Sequence, residues 1–299
     1  MRRILITGAE GFVAGYLADA LKMDSNELFG THFIENKNDI ESSFLDITDS
    51  GKVYDMLEHI QPDIICHLAA QSSGGLSYKR PVLTYKTNVM GTLNILESVR
   101  RINTDILVFI PSSADVIGIP EYLPVDEEHP RNPLNPYSSS KSIIEDAARQ
   151  YELHYNLRIL ITHSFNHTGV GQDCKFFMPS MLEQVRKAPK NGRIMTGDLT
   201  IQRDFLDVRD VADAYKSLID ANLTGIYNVA SGKPVELRTM LEYLIDLSGK
   251  DLQIVRDSSR MRSGETKTIY GTYDKLNRST GWRPQRDIFS AIEWMYKEQ

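Results

Sequence analysis

The stretch ILITGAEGFVAGYLADAL, Ile4 to Leu21, decides how this chain is read. ILIT (Ile4–Thr7) is a short apolar run of strand formers, and it passes through two glycines into a helical apolar pattern from Gly15 to Leu21. Gly8 permits a tight turn after the strand. Gly11 lets the backbone approach a pyrophosphate at the helix start, where unpaired N–H groups and the helix dipole favour negative charge. The third small residue, Ala14, packs helix on sheet. A glycine pattern by itself says little; flanked by a strand and a helix at the head of the chain, it points to a dinucleotide turn.

Working outward, the same alternation continues. ELFGTH (Glu27–His32), DIICHLAA (Asp63–Ala70), ILVFIPS (Ile106–Ser112) and LRILITHSF (Leu157–Phe165) read as strands. Helical stretches lie between them at Val53–Ile60, Leu83–Arg101 and in NPYSSSKSIIEDAARQY (Asn135–Tyr151). Near-continuous apolar strands separated by helices predict an α/β fold, a doubly wound parallel sheet covered on both faces. After Phe165 the pattern loosens, with a helix at Met178–Lys187, another at Asp207–Asn222, a buried strand at Ile226–Ser231 and a last helix at Asp287–Glu298. The expected division is a dinucleotide domain of 1–165 with 205–232, and a smaller interleaved C-terminal lobe of 166–204 with 233–299. A ligand would sit between them, beyond the carboxyl ends of the parallel strands.

A chain of 299 residues with 41% hydrophobic and 25% charged residues can bury a large core. Its net charge of −6 offers no basic field for nucleic acid, so an anionic ligand needs locally placed arginines. Cys66 and Cys174 fit no disulfide framework or metal spacing, so no metal is expected. No apolar run approaches the ~18 residues of a membrane span, and the N-terminus reads as a strand, not a signal peptide. A cytoplasmic location is expected.

Asn135 is a good N-cap and Pro136 fits the first helical position, so Tyr137 and Lys141 lie one turn apart on one face. Upstream, Ser112 and Ser113 stand at the carboxyl end of a strand, the edge where ligands bind. Glycine turn, strand-end serine and Tyr-x-x-x-Lys, in this order, resemble the short-chain dehydrogenase/reductase family, in its extended branch acting on nucleotide sugars. The resemblance implies a Rossmann sheet and a catalytic set of Ser113, Tyr137 and Lys141. In the family pattern the serine lies five residues before a glycine that ends a Tyr-Gly pair. Counting back from Gly118 picks Ser113, with Ser112 the runner-up; here Ile117 stands where tyrosine is usual.

The chemistry suits these residue types. Reducing a ketone leaves an alkoxide that must be protonated, and tyrosine, with an ordinary pKa near 10, needs its anion stabilised to exchange protons at neutral pH. An ammonium about 4 Å away at an effective dielectric of about 20 contributes roughly 4 kcal/mol, or about three pKa units before desolvation. Ser113 would donate to the substrate oxygen as charge develops. The small serines between Tyr137 and Lys141 are expected to leave space for ligands.

The resemblance also assigns Gly8, Gly11, Phe12, Val13, Ile47, Leu68, Ala69, Ala70 and Asn88 to the dinucleotide site. His32 and Asp46 are added from the residues themselves: His32 or Lys37 could meet a phosphate, and Asp46 could hold the adenine amino group or serve as an N-cap-like turn residue. Because the end of the second strand carries no carboxylate until Glu35, NADP(H) is favoured over NAD(H). Downstream, SFNHTGVGQ (Ser164–Gln172), RDFLDVRDVADAY (Arg203–Tyr215) and RMRSGETKTIYGTYDKLNRSTGWRP (Arg260–Pro284) look like GDP-sugar members, above all reductases of GDP-4-keto-6-deoxymannose that form GDP-D-rhamnose. That implies substrate contacts from Ser72, Asn166, Arg203, Arg262 and Glu265, with the Gly169–Gly171 turn facing the ligands and the two arginines on the diphosphate, while Asp115 either binds a sugar hydroxyl or caps a turn. A 4,6-dehydratase shares the scaffold but places a glutamate two residues after the catalytic hydroxyl, where this chain has Asp115. The expected partners are a GDP-sugar and a second copy of the chain, as a homodimer or dimer of dimers through Leu83–Arg101 and Pro136–Tyr155.

Overall fold

The computed structural model describes residues 1–24, 26–260 and 266–298. Its strands in chain order are β1 (Arg3–Thr7), β2 (Glu27–His32), β3 (Ser42–Phe44), β4 (Ile64–His67), β5 (Leu107–Pro111), β6 (Arg158–Ser164), β7 (Asn166–Thr168), β8 (Arg193–Thr196), β9 (Gln202–Asp207), β10 (Gly225–Val229), β11 (Pro234–Glu236), β12 (Gln253–Arg256) and β13 (Thr268–Ile269). The helices are α1 (Phe12–Lys22), α2 (Ser50–Ile60), α3 (Gly74–Lys79), α4 (Pro81–Tyr85), α5 (Gly91–Ile102), α6 (Pro136–Tyr155), α7 (Phe177–Lys187), α8 (Val208–Asp220), α9 (Leu237–Ser248), α10 (Asp274–Thr280) and α11 (Ile288–Glu298).

Seven strands form one parallel sheet in the order β10-β6-β5-β4-β1-β2-β3. The apolar runs explain it. Ile4, Leu5 and Ile6 are fully buried, with Ile4 and Ile6 in the core on one face and Leu5 in the core on the other. The first face is covered by α1 and α8, contributing Leu17, Leu21, Val211 and Leu218; the second by α2, α5 and α6, contributing Leu57, Ile95, Val99 and Ile144. Strand order reverses between β1 and β4, and the carboxyl ends there open the crevice that such sheets use for ligands.

The stretch Leu83–Arg101, expected as one helix, is interrupted. A π-helical turn at Lys86–Met90 joins α4 to α5. The wide turn carries Asn88, whose amide accepts from Gln71 N at 2.8 Å and donates to Gln71 O at 3.1 Å and Ser140 Oγ at 2.9 Å. These bonds tie the loop after β4 to α6.

After β6, a smaller sheet of β11-β9-β13 with β7, and the pair β8–β12, frame a third core. Met178, Met181, Leu182, Met240, Leu244 and Ile292 are buried in it. The strand β9 runs across the boundary expected at 204/205, because Asp204 is the buried centre of a loop knot. It accepts from the backbone N–H of Ser231 at 2.7 Å, Gly232 at 3.0 Å and Gly271 at 3.3 Å. Among the described residues no helix is long and apolar enough to cross a membrane, and no group of three His, Cys, Asp or Glu is placed to hold a metal ion.

Candidate active site

A cleft of about 300 Å³ opens at the carboxyl ends of β1, β4, β5 and β6. Its floor is the turn after β1 and the start of α1. Gly8 has a φ of +71°, and a Cβ there would lie 2.8 Å from the Ala69 backbone, so only glycine lets the two strand ends close. The first turn of α1 carries no acidic residue, and its N-cap, Gly11, makes no side-chain capping bond. The orphan N–H groups are therefore open to an anion, which fits a dinucleotide pyrophosphate. Gly11, Phe12, Val13, Leu68 and Ala70 line the cleft, while Ala69 lies beneath Gly8.

The catalytic candidates come together on the opposite wall. Asn135 caps α6 in a reciprocal box: its side chain accepts from Ser138 N at 2.9 Å while Ser138 Oγ accepts from Asn135 N at 3.2 Å. That box, with Pro136 in the first turn, aims Tyr137 into the cleft beside Ser113. The serine row does something other than keep space open. Ser138 and Ser140 are fully buried, and Ser140 Oγ donates to Tyr137 O at 2.7 Å while accepting from Asn88. They are small because they are packed and bonded there.

Of the two strand-end serines, Ser113 is the one that faces the phenol. Ser113 lies within hydrogen-bonding reach of Tyr137 and accepts from Asp115 N at 3.2 Å. Ser112 is buried and its hydroxyl donates to Glu145 Oε1 instead. Burial first, and then the Asp115 carboxylate, push the Tyr137 phenol above its ordinary value, and the Ser113 hydrogen bond offsets this only in part. The expected lowering of that phenol by Lys141 is not seen. Lys141 Nζ donates to Pro111 O at 2.7 Å, and burial lowers its own pKa to about 8, with Glu145 acting in the opposite direction.

The glycine that positions Ser113 explains the family spacing. Gly118 ends the 3-10 turn Ala114–Ile117 with a φ of +69°, and a Cβ there would lie 2.0 Å from Asn132 O. Ile117 replaces the usual tyrosine and is simply buried with Val116 and Phe165. Gly118→Ala is expected to destabilise the fold by at least ~2 kcal/mol, since both the backbone conformation and the contact are forbidden. A urea titration reads this as a lowered midpoint with an unchanged slope.

Other expected residues fall less tidily. Ser72, Asp115 and Asn166 line the cleft. Arg203 donates to Gln202 O at 2.9 Å and Lys267 O at 3.4 Å, along its own sheet, and it does not line the cleft. Arg262 and Glu265 lie outside the described residues. Asp46 Oδ1 accepts from both Thr48 N at 2.9 Å and Thr48 Oγ1 at 2.8 Å, the turn-capping arrangement. Ile47 packs against Gly91, and Asn88 is engaged with Gln71 and Ser140; neither lines the cleft. His32 turns toward β3, with its Nδ1 2.8 Å from Ser42 Oγ. The Gly169–Gly171 turn is not on the cleft wall either: a Cβ on Gly169 would strike Val208 and Trp294, so the start of that turn packs against α8 and α11, while Gly171 has open space around it.

Sequence reading missed a buried network behind Lys141. Glu145 takes Ser112 Oγ, lies 3.1 Å from His163 Nε2, and accepts from Arg131 Nη1 at 3.4 Å. The available signal was its position one turn after Lys141 on a buried helical face. Glu145→Ala is expected to cost about 3 kcal/mol, because it leaves the buried Lys141 ammonium without its neighbouring carboxylate and strands the buried Ser112 hydroxyl. Thermal unfolding tests this, and Glu145→Gln should recover part of the loss. His67, also missed, bridges Thr7 Oγ1 at 2.8 Å and Thr92 Oγ1 at 3.0 Å, and burial lowers its pKa to about 3, so it stays neutral.

Known proteins resemble this chain over nearly its whole length. The family model described as GDP-mannose 4,6 dehydratase matches residues 5–295. The GDP-6-deoxy-D-mannose reductase of Pseudomonas aeruginosa is 32% identical over 97% of this chain and 95% of its own. A solved structure of RMD from Pseudomonas aeruginosa complexed with NADPH superposes with a TM-score of 0.87 at 30% identity, covering 99% of this chain and 98% of that one. The UDP-glucose 4-epimerase of Thermus thermophilus, in complex with NAD, superposes with a TM-score of 0.89 at 25% identity, covering 99% and 98%.

Proposed function

Because this chain belongs to the GDP-mannose 4,6-dehydratase family, we propose that it reduces the C4 ketone of a GDP-4-keto-6-deoxyhexose, forming GDP-D-rhamnose or a close relative. The observation that carries reduction over dehydration is the cleft's acid–base inventory. Among the described residues lining it, Asp115 is the sole carboxylate. A dehydratase must also remove a proton at C5 and expel the C6 hydroxyl, which calls for further acid–base groups.

A bound nicotinamide dinucleotide supplies the hydride. The chain's own residues manage the proton and the developing charge. Tyr137, a phenol protonated at neutral pH, donates to the carbonyl oxygen as C4 becomes an alcohol. Ser113 donates a hydrogen bond to the same oxygen. Lys141 Nζ, held by Pro111 O one helical turn from Tyr137, is proposed to hold the nicotinamide ribose and to place positive charge on that wall of the cleft. Segments 166–204 and 233–299 are proposed to hold the nucleotide sugar, with Asn166, Arg203, Arg262 and Glu265 as its contacts.

Pairing of two chains is proposed through α4–α6, whose exposed Val82, Leu83, Met90, Ile143, Leu153 and Tyr155 form an apolar surface. Light scattering of a dimer or larger assembly supports this, and a monomer contradicts it. The reductase reading is tested by mixing protein, NADH or NADPH, and GDP-4-keto-6-deoxymannose. Loss of nicotinamide absorbance matched by new 6-deoxyhexose is expected. Conversion of GDP-mannose with no net cofactor oxidation would instead favour the dehydratase.

A further inference from the structure

The absence of a carboxylate at the carboxyl end of β2 suggests NADP(H), but the fold brings one to that place from elsewhere. Glu10, inside the glycine turn, reaches across to the end of β2, where its Oε1 accepts from Phe33 N at 3.0 Å. Phe33 is the first residue after β2, the place from which an acidic side chain reads the ribose 2′-hydroxyl of NAD. The other oxygen, Oε2, is buried and has no hydrogen-bond partner among the described residues. A buried carboxylate oxygen without a donor is costly unless a ligand completes it.

The turn is held in this shape. Asn38 Nδ2 donates to Ala9 O at 2.6 Å and Gly11 O at 3.0 Å, the carbonyls on either side of Glu10. Asn36 in turn fixes Asn38 N at 3.0 Å and Ser42 Oγ at 2.9 Å, so the segment after β2 is stitched to the glycine turn. Two of the basic groups nearby are engaged elsewhere. His32 is bonded to Ser42, Lys22 pairs with Asp39, and Lys37 is exposed.

We propose that Glu10 is the residue that selects the dinucleotide, its carboxylate at the end of β2 accepting from the free ribose 2′-hydroxyl of NAD(H) and its charge rejecting a 2′-phosphate. This rests on the dinucleotide-dependent reading of the cleft. It makes NAD(H) the preferred cofactor, against the expectation from β2 alone.

The test is direct binding by titration calorimetry of NAD+, NADP+, ADP-ribose and 2′-phospho-ADP-ribose to the wild-type chain and to Glu10→Gln. The amide keeps an acceptor for Phe33 N–H and removes the charge. Wild type is expected to bind each 2′-hydroxyl ligand at least tenfold more tightly than its 2′-phosphate counterpart. The variant is expected to lose most of that ratio by gaining affinity for the phosphates. Equal or tighter binding of NADP+ by wild type, or an unchanged ratio in the variant, overturns the proposal while leaving a dinucleotide enzyme. Binding of neither dinucleotide overturns it together with the reading on which it rests.

Discussion

Tyr137→Phe is expected to lower turnover by roughly 10²- to 10⁴-fold, the range for losing a positioned proton donor. Removing one oxygen from a ring that faces the cleft should leave the fold and ligand binding nearly intact. The ring stays anchored by the backbone of a helix start closed by the Asn135–Ser138 box. Dinucleotide binding should therefore change little while kcat and kcat/KM fall together, the pattern for an interaction made only in the transition state. A variant that kept a tenth or more of wild-type turnover would remove Tyr137 from the chemistry. Ser113→Ala should cost less than Tyr137→Phe, because it removes a hydrogen bond and not the proton.

Lys141→Met is the second large effect, expected to lower kcat by about 10²- to 10³-fold by taking positive charge away from the cleft wall where negative charge develops on the substrate oxygen. It also carries a pH test. Burial lowers the folded-state pKa of Lys141 to about 8, so its ammonium is present below that pH and is lost as pH rises through it. Reduction by wild type should accordingly be flat on the acid side of that value and fall above it. Lys141→Met should be slow and lack that limb. Methionine fills similar volume without a buried charge, so the variant should fold, and circular dichroism checks that. If the limb persisted in the variant, the titrating group would be another residue.

How much of this was legible in the sequence follows from the range of the forces involved. The parallel sheet could be read because buried strands must be apolar along their length, and Ile4–Ile6, Ile64–Cys66 and Leu107–Ile110 are. The start of α6 could be read because capping is local, within four residues of Asn135. What escaped were contacts between residues far apart in the chain. Glu145 meets Ser112, 33 residues earlier, and His163, 18 later. Asn88 reaches Ser140 across 52 residues, and that bond explains both the π-helical turn and the buried serines. Glu10 looked like a spacer between glycines because its partner, Phe33, comes 23 residues on, after the intervening helix and β2. The cofactor expectation drawn from β2 left Glu10 out for that reason, since a strand-end charge can be delivered by a neighbouring turn.

The substrate arginines show a different limit. Residue type alone nominated Arg203 for a diphosphate, yet its guanidinium lies along the backbone of β9 and β13, bonded to Gln202 and Lys267 carbonyls.

The most direct test of the central claim is a deuteride-transfer measurement with GDP-4-keto-6-deoxymannose and nicotinamide cofactor deuterated at the transferable position. If the chain is a C4-ketone reductase, the nucleotide-sugar product carries one deuterium at C4, and one equivalent of cofactor is oxidised per product formed. A redox-neutral epimerase or dehydratase would return product without net cofactor oxidation, and that outcome would contradict the account.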